Sequence, residues 1–108
     1  MFPSILYGTA WKEERTEQLT LMSLEAGFRG IDTANQRMHY HEAAVGKAIT
    51  VAMERGLVQR DEFFLQTKFT YVQGQDKRLP YDPEAPYPVQ VRQSFQSSLD
   101  HLNVDYLD

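Results

Sequence analysis

Three side chains in this sequence could together work on a carbonyl group. Asp32 closes the apolar stretch "GFRGID", Tyr40 follows eight residues later in "NQRMHYHE", and Lys68 ends "FFLQTK". A phenol has a pKa near 10, too high to exchange protons readily at neutral pH. A neighbouring ammonium favours the phenolate, and a carboxylate paired with that ammonium holds it in place. So assisted, a tyrosine can protonate a carbonyl oxygen as hydride arrives at carbon, or take the proton back in the oxidative direction. Each residue also has a plainer reading. An Asp at a strand end often caps a turn, a Lys is often a solvated charge, and a Tyr can simply anchor its loop by the hydroxyl. His39 and His41 form an H-x-H pair whose rings share one side of an extended chain. Zinc needs three or four ligands and His101 lies far along the chain, so no metal site is expected.

Positioning these groups requires regular elements, and the pattern supplies them. "SILYGT" (4–9), "FRGID" (28–32) and "EFFLQTKF" (62–69) read as strands, and "VDYLD" (104–108) as a strand just beginning. "TEQLTLMSLEAG" (16–27) reads as a helix with Thr16 as N-cap and Gly27 as its stop. The clearest helix is 41–56, where Val45, Ala48, Ile49 and Ala52 fall on one face and Gly56 ends the run. A third helix, 89–102, carries Val91, Phe95, Leu99 and Leu102 on an apparent core stripe. Between strand three and this helix, Gly74 and four prolines mark residues 70–88 as a long loop.

Bulk properties narrow the function classes. The chain has 108 residues, 42% hydrophobic and 24% charged, the composition of one globular domain. A formal charge of −4 argues against nucleic acid or an anionic membrane as partner. Without cysteine there is no disulfide, zinc–thiolate site or thiol catalysis. "MFPSILYG" lacks a basic leader, and no stretch is long enough to span a bilayer, so the cytoplasm is the expected compartment.

Strands alternating with helices imply an α/β fold with a parallel sheet. A doubly wound dinucleotide-binding sheet should show a glycine-rich turn after its first strand, but the turn here is "GTAWKEER". A (β/α)8 barrel needs no such loop, because its catalytic groups sit at the C-terminal ends of several strands. Such a barrel takes about 250 residues, so residues 1–108 would be the N-terminal part of a single barrel domain: three βα units and the start of strand four.

"GFRGIDTA", "HEAAVGKAI", "FFLQTKF" and "SFQSSLDHLNVDYLD", in that order, resemble the N-terminal part of the aldo-keto reductases. The resemblance implies a (β/α)8 TIM barrel, NADPH as hydride donor, and aldehydes or ketones as small-molecule substrates. It implies catalytic roles for Asp32, Tyr40 and Lys68, cofactor contacts at Gly8, Thr9 and Asp32, and a substrate pocket near Trp11 and His39. Trp11 has the alternative of merely covering the barrel's edge. The family's catalytic His would lie beyond Asp108. The loop "NQRMHYH" is longer than the family's usual one, and counting back from "EAAVG" without a gap puts His39 at the tyrosine position; Tyr40 is the sole tyrosine in the segment. The alternative function is a non-catalytic truncated or regulatory product of the same family. An isolated part-barrel is also expected to self-associate through its open sheet edges.

Overall fold

The computed structural model describes residues 2–108. Three short parallel strands, β1 (Tyr7–Gly8), β2 (Gly30–Asp32) and β3 (Phe64–Gln66), form a sheet in the order β1-β2-β3. They alternate with helices α1 (Thr16–Glu25), α2 (Glu42–Glu54) and α3 (Tyr87–Leu102). Ile31 pairs with Tyr7 on one side and Leu65 on the other, and Asp32 pairs with Gly8 and Gln66. The core joins Ile31 and Leu65 of the sheet to Leu24 of α1, Val45, Ile49 and Ala52 of α2, and Leu102 of α3. The α2 residues are the stripe expected from sequence.

The strands are shorter than their apolar runs. Residues 60–62 form a 3-10 turn in place of the expected strand start, because the Gln59 amide donates to the Glu62 carboxylate at 2.7 Å in a capping box. Thr16 is the first residue of α1 rather than its N-cap, which is Arg15. The Thr16 hydroxyl donates back to the Glu13 carbonyl at 2.7 Å and is buried there. Gly27 and Gly56 do follow α1 and α2, at φ 104° and 74°, the left-handed turn that lets a helix end without side-chain strain. At the end of the chain, the Asp108 amide donates to the Leu65 carbonyl at 3.1 Å, so the segment after α3 returns to the free edge of β3.

The third helix departs most from its pattern. It begins at Tyr87, with Pro88 in its first turn, and buries Gln90, Ser94, Ser98 and Leu102. Val91 and Phe95, expected in the core, are 45% and 49% exposed. Asn35 explains the rotation: its side-chain amide donates to the Ser94 carbonyl at 3.0 Å and to the Ser98 hydroxyl at 3.1 Å. Gln90 likewise donates to the Pro83 and Ala85 carbonyls. Small residues let α3 lie close to the β2–α2 loop, and burying these polar groups unbonded would cost more than exposing two apolar side chains. Val91 and Phe95 instead line a crevice along β3 with Phe2, Phe64 and Leu107.

Candidate functional site

Register brings Asp32 and Lys68 together. Side chains two apart on a strand share a face, so Gln66, which pairs with Asp32, and Lys68 both point to the Asp32 side of the sheet. The parallel ladder continues past the strands: the Thr33 amide donates to Gln66 at 2.9 Å, and Asn35 to Lys68 at 3.1 Å. The Lys68 ammonium therefore reaches back to Asp32 Oδ1 at 2.6 Å and to the Thr33 carbonyl at 2.9 Å. Gln66 Nε2 donates to the same Asp32 oxygen at 2.7 Å. The pair is partly open to solvent, with Asp32 23% and Lys68 42% exposed.

Thr9 fastens this arrangement from β1. It is fully buried, and both its amide (3.1 Å) and its hydroxyl (2.9 Å) donate to the Asp32 carbonyl. Gly8, beside Asp32 in register, leaves open space: a Cβ there would meet nothing within 4 Å.

Tyr40 comes from the loop between β2 and α2. Its ring lies with its centroid 5.4 Å from the Lys68 ammonium, so the contact is to the aromatic face. The ammonium already serves two acceptors on the β2 side, and the Tyr40 hydroxyl makes no hydrogen bond to it. His39 turns the other way. Its ring stacks on Trp11 at a centroid distance of 4.1 Å, and Gln36 grips it by donating Nε2 to Nδ1 (2.9 Å) and accepting from its amide (2.6 Å). Trp11, 66% exposed, holds a left-handed φ of 61° and donates its amide to the His39 carbonyl at 2.8 Å. A bulky residue in that region stores strain, which is tolerated where surrounding contacts fix it and recurs at ligand clamps. Trp11, His39 and Tyr40 line a common cavity of about 450 Å³.

Behind the loop lies a group the sequence reading missed. Glu42, the first residue of α2, is only 3% exposed. Its carboxylate accepts from the Thr67 hydroxyl and lies 2.8 Å from His101 Nδ1 on α3. That hydrogen bond, more than the surrounding charges, holds His101 above the ordinary histidine pKa. Glu42 thus ties α2, α3 and the end of β3 together beneath Tyr40. Gln66 was also missed, although its place two residues before Lys68 in "FLQTKF" puts it on the same strand face. Among the described residues no cluster of three or more His, Asp or Glu side chains is placed to hold a metal ion.

Comparison with known proteins adds context to this geometry. Residues 5–108 match the sequence model of the Aldo/keto reductase family. The chain is 32% identical to an aldo-keto reductase family 1 member C23-like protein of Equus caballus, over 100% of this chain and 30% of the relative. It is 34% identical to methylglyoxal reductase DkgA of Salmonella typhimurium, over 91% of this chain and 29% of the relative. The fold superposes on Bombyx mori aldo-keto reductase AKR2E4, solved in complex with NADP, with a TM-score of 0.76 and 30% identity. That match covers 99% of this chain and 33% of the other. The chain therefore spans about a third of the length of the proteins it resembles, and its parallel strands and helices share the fold of the corresponding part of those (β/α)8 barrels.

Proposed function

Because this chain belongs to the aldo/keto reductase family, we propose that the protein it forms reduces aldehydes or ketones to alcohols with NADPH, using Tyr40 as general acid. The observation that carries this reading is the position of Lys68, 2.6 Å from the Asp32 carboxylate and 5.4 Å from the Tyr40 ring centroid. Acid, cation and counter-ion form one cluster at the C-terminal ends of the strands, where a parallel barrel does its chemistry. The stacking of His39 on Trp11 supports Tyr40 over His39 as the acid, since it is Tyr40 that faces the ammonium.

In this reading Tyr40 gives its hydroxyl proton to the carbonyl oxygen, and Lys68 stabilises the phenolate left behind. Asp32 and the Thr33 carbonyl hold the ammonium in place, and Gln66 fixes Asp32. Thr9 serves from behind by anchoring the Asp32 backbone. The open space over Gly8, next to Asp32, fits a flat ring such as nicotinamide. NADPH supplies the hydride when bound. Trp11 and His39 form the substrate wall.

The test is Tyr40→Phe. Aldehyde reduction should fall by about 10²–10⁴-fold, the usual worth of a positioned proton donor, while NADPH affinity stays nearly constant because in this reading the hydroxyl serves proton transfer rather than cofactor binding. Unchanged turnover would move the acid role to His39 or another group.

A further inference from the structure

Two cavities meet at Tyr40. The outer one is shared with Trp11 and His39; the inner, about 370 Å³, lies between the β2–α2 loop, the start of α2, residues 78–80 and α3. Arg37, Tyr40, His41 and Arg78 line both, so the wall between them is basic. Arg37 carries the charge that no carboxylate contacts directly, although Asp76 feels it through space. Among the described residues its guanidinium has no carboxylate partner, and its only side-chain hydrogen bond is a long one, 3.4 Å, to the Tyr40 carbonyl. Arg78 lies against the Arg37 carbonyl at 3.4 Å, with its fork held by Asp76, which fixes its position and offsets much of its charge.

The acids decide which cavity attracts an anion. Glu13 and Glu14 line the outer one. On the inner one the sole carboxylate among the described residues is Glu42, buried and already committed to Thr67 and His101. His41 registers the resulting field. Burial first, then the charges of Arg37, Lys47, Arg78 and His101, push it below the ordinary histidine value.

Resting on the reductase reading of Tyr40, we propose that the substrate is a carbonyl compound bearing a carboxylate, with that carboxylate seated in the inner cavity against Arg37. A guanidinium fork matches a carboxylate bidentately, and such charge-assisted pairs are stronger than neutral hydrogen bonds. Tyr40, lining both cavities, then meets the carbonyl end. The carboxylate takes no part in the bond changes.

The experiment separates anion binding from catalysis. Succinate and its neutral isostere succinamide are titrated into the protein while the Arg37 Nε–H resonance is followed by NMR. Succinate should saturate the signal and succinamide should not. Arg37→Met should weaken succinate at least about tenfold, and Arg37→Lys, which keeps the charge without the fork, should fall between, with thermal melts confirming that both variants are folded. Equal affinity for the two probes, or an Arg37→Met variant that binds succinate normally, overturns the proposal. Aldehyde assays complete the distinction. In the full-length protein, succinate binding without reduction of either 4-oxobutanoate or pentanal refutes the Tyr40 reading alone. Reduction of both with equal kcat/KM refutes the carboxylate site alone, whereas a preference for 4-oxobutanoate of about tenfold or more supports both.

Discussion

Gly46 sits inside α2, and replacing it with alanine should destabilise the fold although helix propensity argues the opposite. In an exposed helix interior, Gly→Ala stabilises by about 1 kcal/mol. Here a Cβ would lie 2.0 Å from the His101 carbonyl oxygen and 2.8 Å from the Leu102 Cα. Ordinary contact starts at 3.4 Å, so α2 and α3 must separate by about 1.4 Å (2.0 against 3.4 Å). The obstacle is backbone, which no rotamer change can move aside. Separation would loosen the packing of Leu102 against Val45 and Ile49, all essentially fully buried, and strain the Glu42–His101 bond at the same crossing. Overpacking of a tight core costs about 1–3 kcal/mol, and a backbone clash belongs at the upper end. Set against the propensity gain, the net loss is about 2 kcal/mol. With a urea m-value of about 2 kcal/mol per M for a small domain, the unfolding midpoint followed by far-UV circular dichroism should fall by about 1 M. A midpoint equal to or above that of the parent would refute the argument that helix approach, not helix propensity, governs this position.

Three further outcomes follow from the same contacts. Glu42 raises the pKa of His101, so the stability this pair contributes is fully present below the unfolded histidine value near 6.5 and is lost as pH rises through the higher folded value. His41, shifted downward, works in the reverse sense on acidification. The thermal midpoint should therefore drop from pH 5.5 to 8.5 more in the parent than in His101→Gln, and parallel profiles would count against the pair. Asp32→Asn should change stability by less than about 1 kcal/mol, because the ion pair is partly exposed, yet should lower carbonyl reduction severely by releasing Lys68; equal small effects on both would deny Asp32 a functional part. Residues 1–108 purified alone should bind NADPH weakly, reduce no aldehyde and self-associate through the sheet edges and the exposed Phe2, Val91 and Phe95, whereas a monodisperse monomer with turnover would contradict the part-barrel reading.

The sequence by itself determined the order of the strands and helices, the parallel sheet, the α2 core stripe and the placing of Asp32 and Lys68 at strand ends. These follow from local periodicity and from residues that end strands, which neighbours along the chain dictate. Tertiary structure alone decided the face of α3. Its apolar stripe of Val91 and Phe95 suggested one orientation, and Asn35, more than fifty residues away in sequence, imposed another by bonding Ser94 and Ser98. The same holds for Glu42, which in sequence is one more acid at a helix start but becomes a buried clasp only when Thr67 and His101 are folded onto it. It holds for Gly46, whose lack of a side chain matters only because the His101 carbonyl arrives beside it. In the loop, the sequence points to Tyr40, the sole tyrosine of the segment, although a gapless count back from "EAAVG" puts His39 at that position. Three-dimensional contacts separate them: Gln36 and Trp11 hold one ring, and Lys68 faces the other. Periodicity reports which residues lie on a common face, whereas the partner of that face is set by chain segments whose distance in sequence carries no local signal.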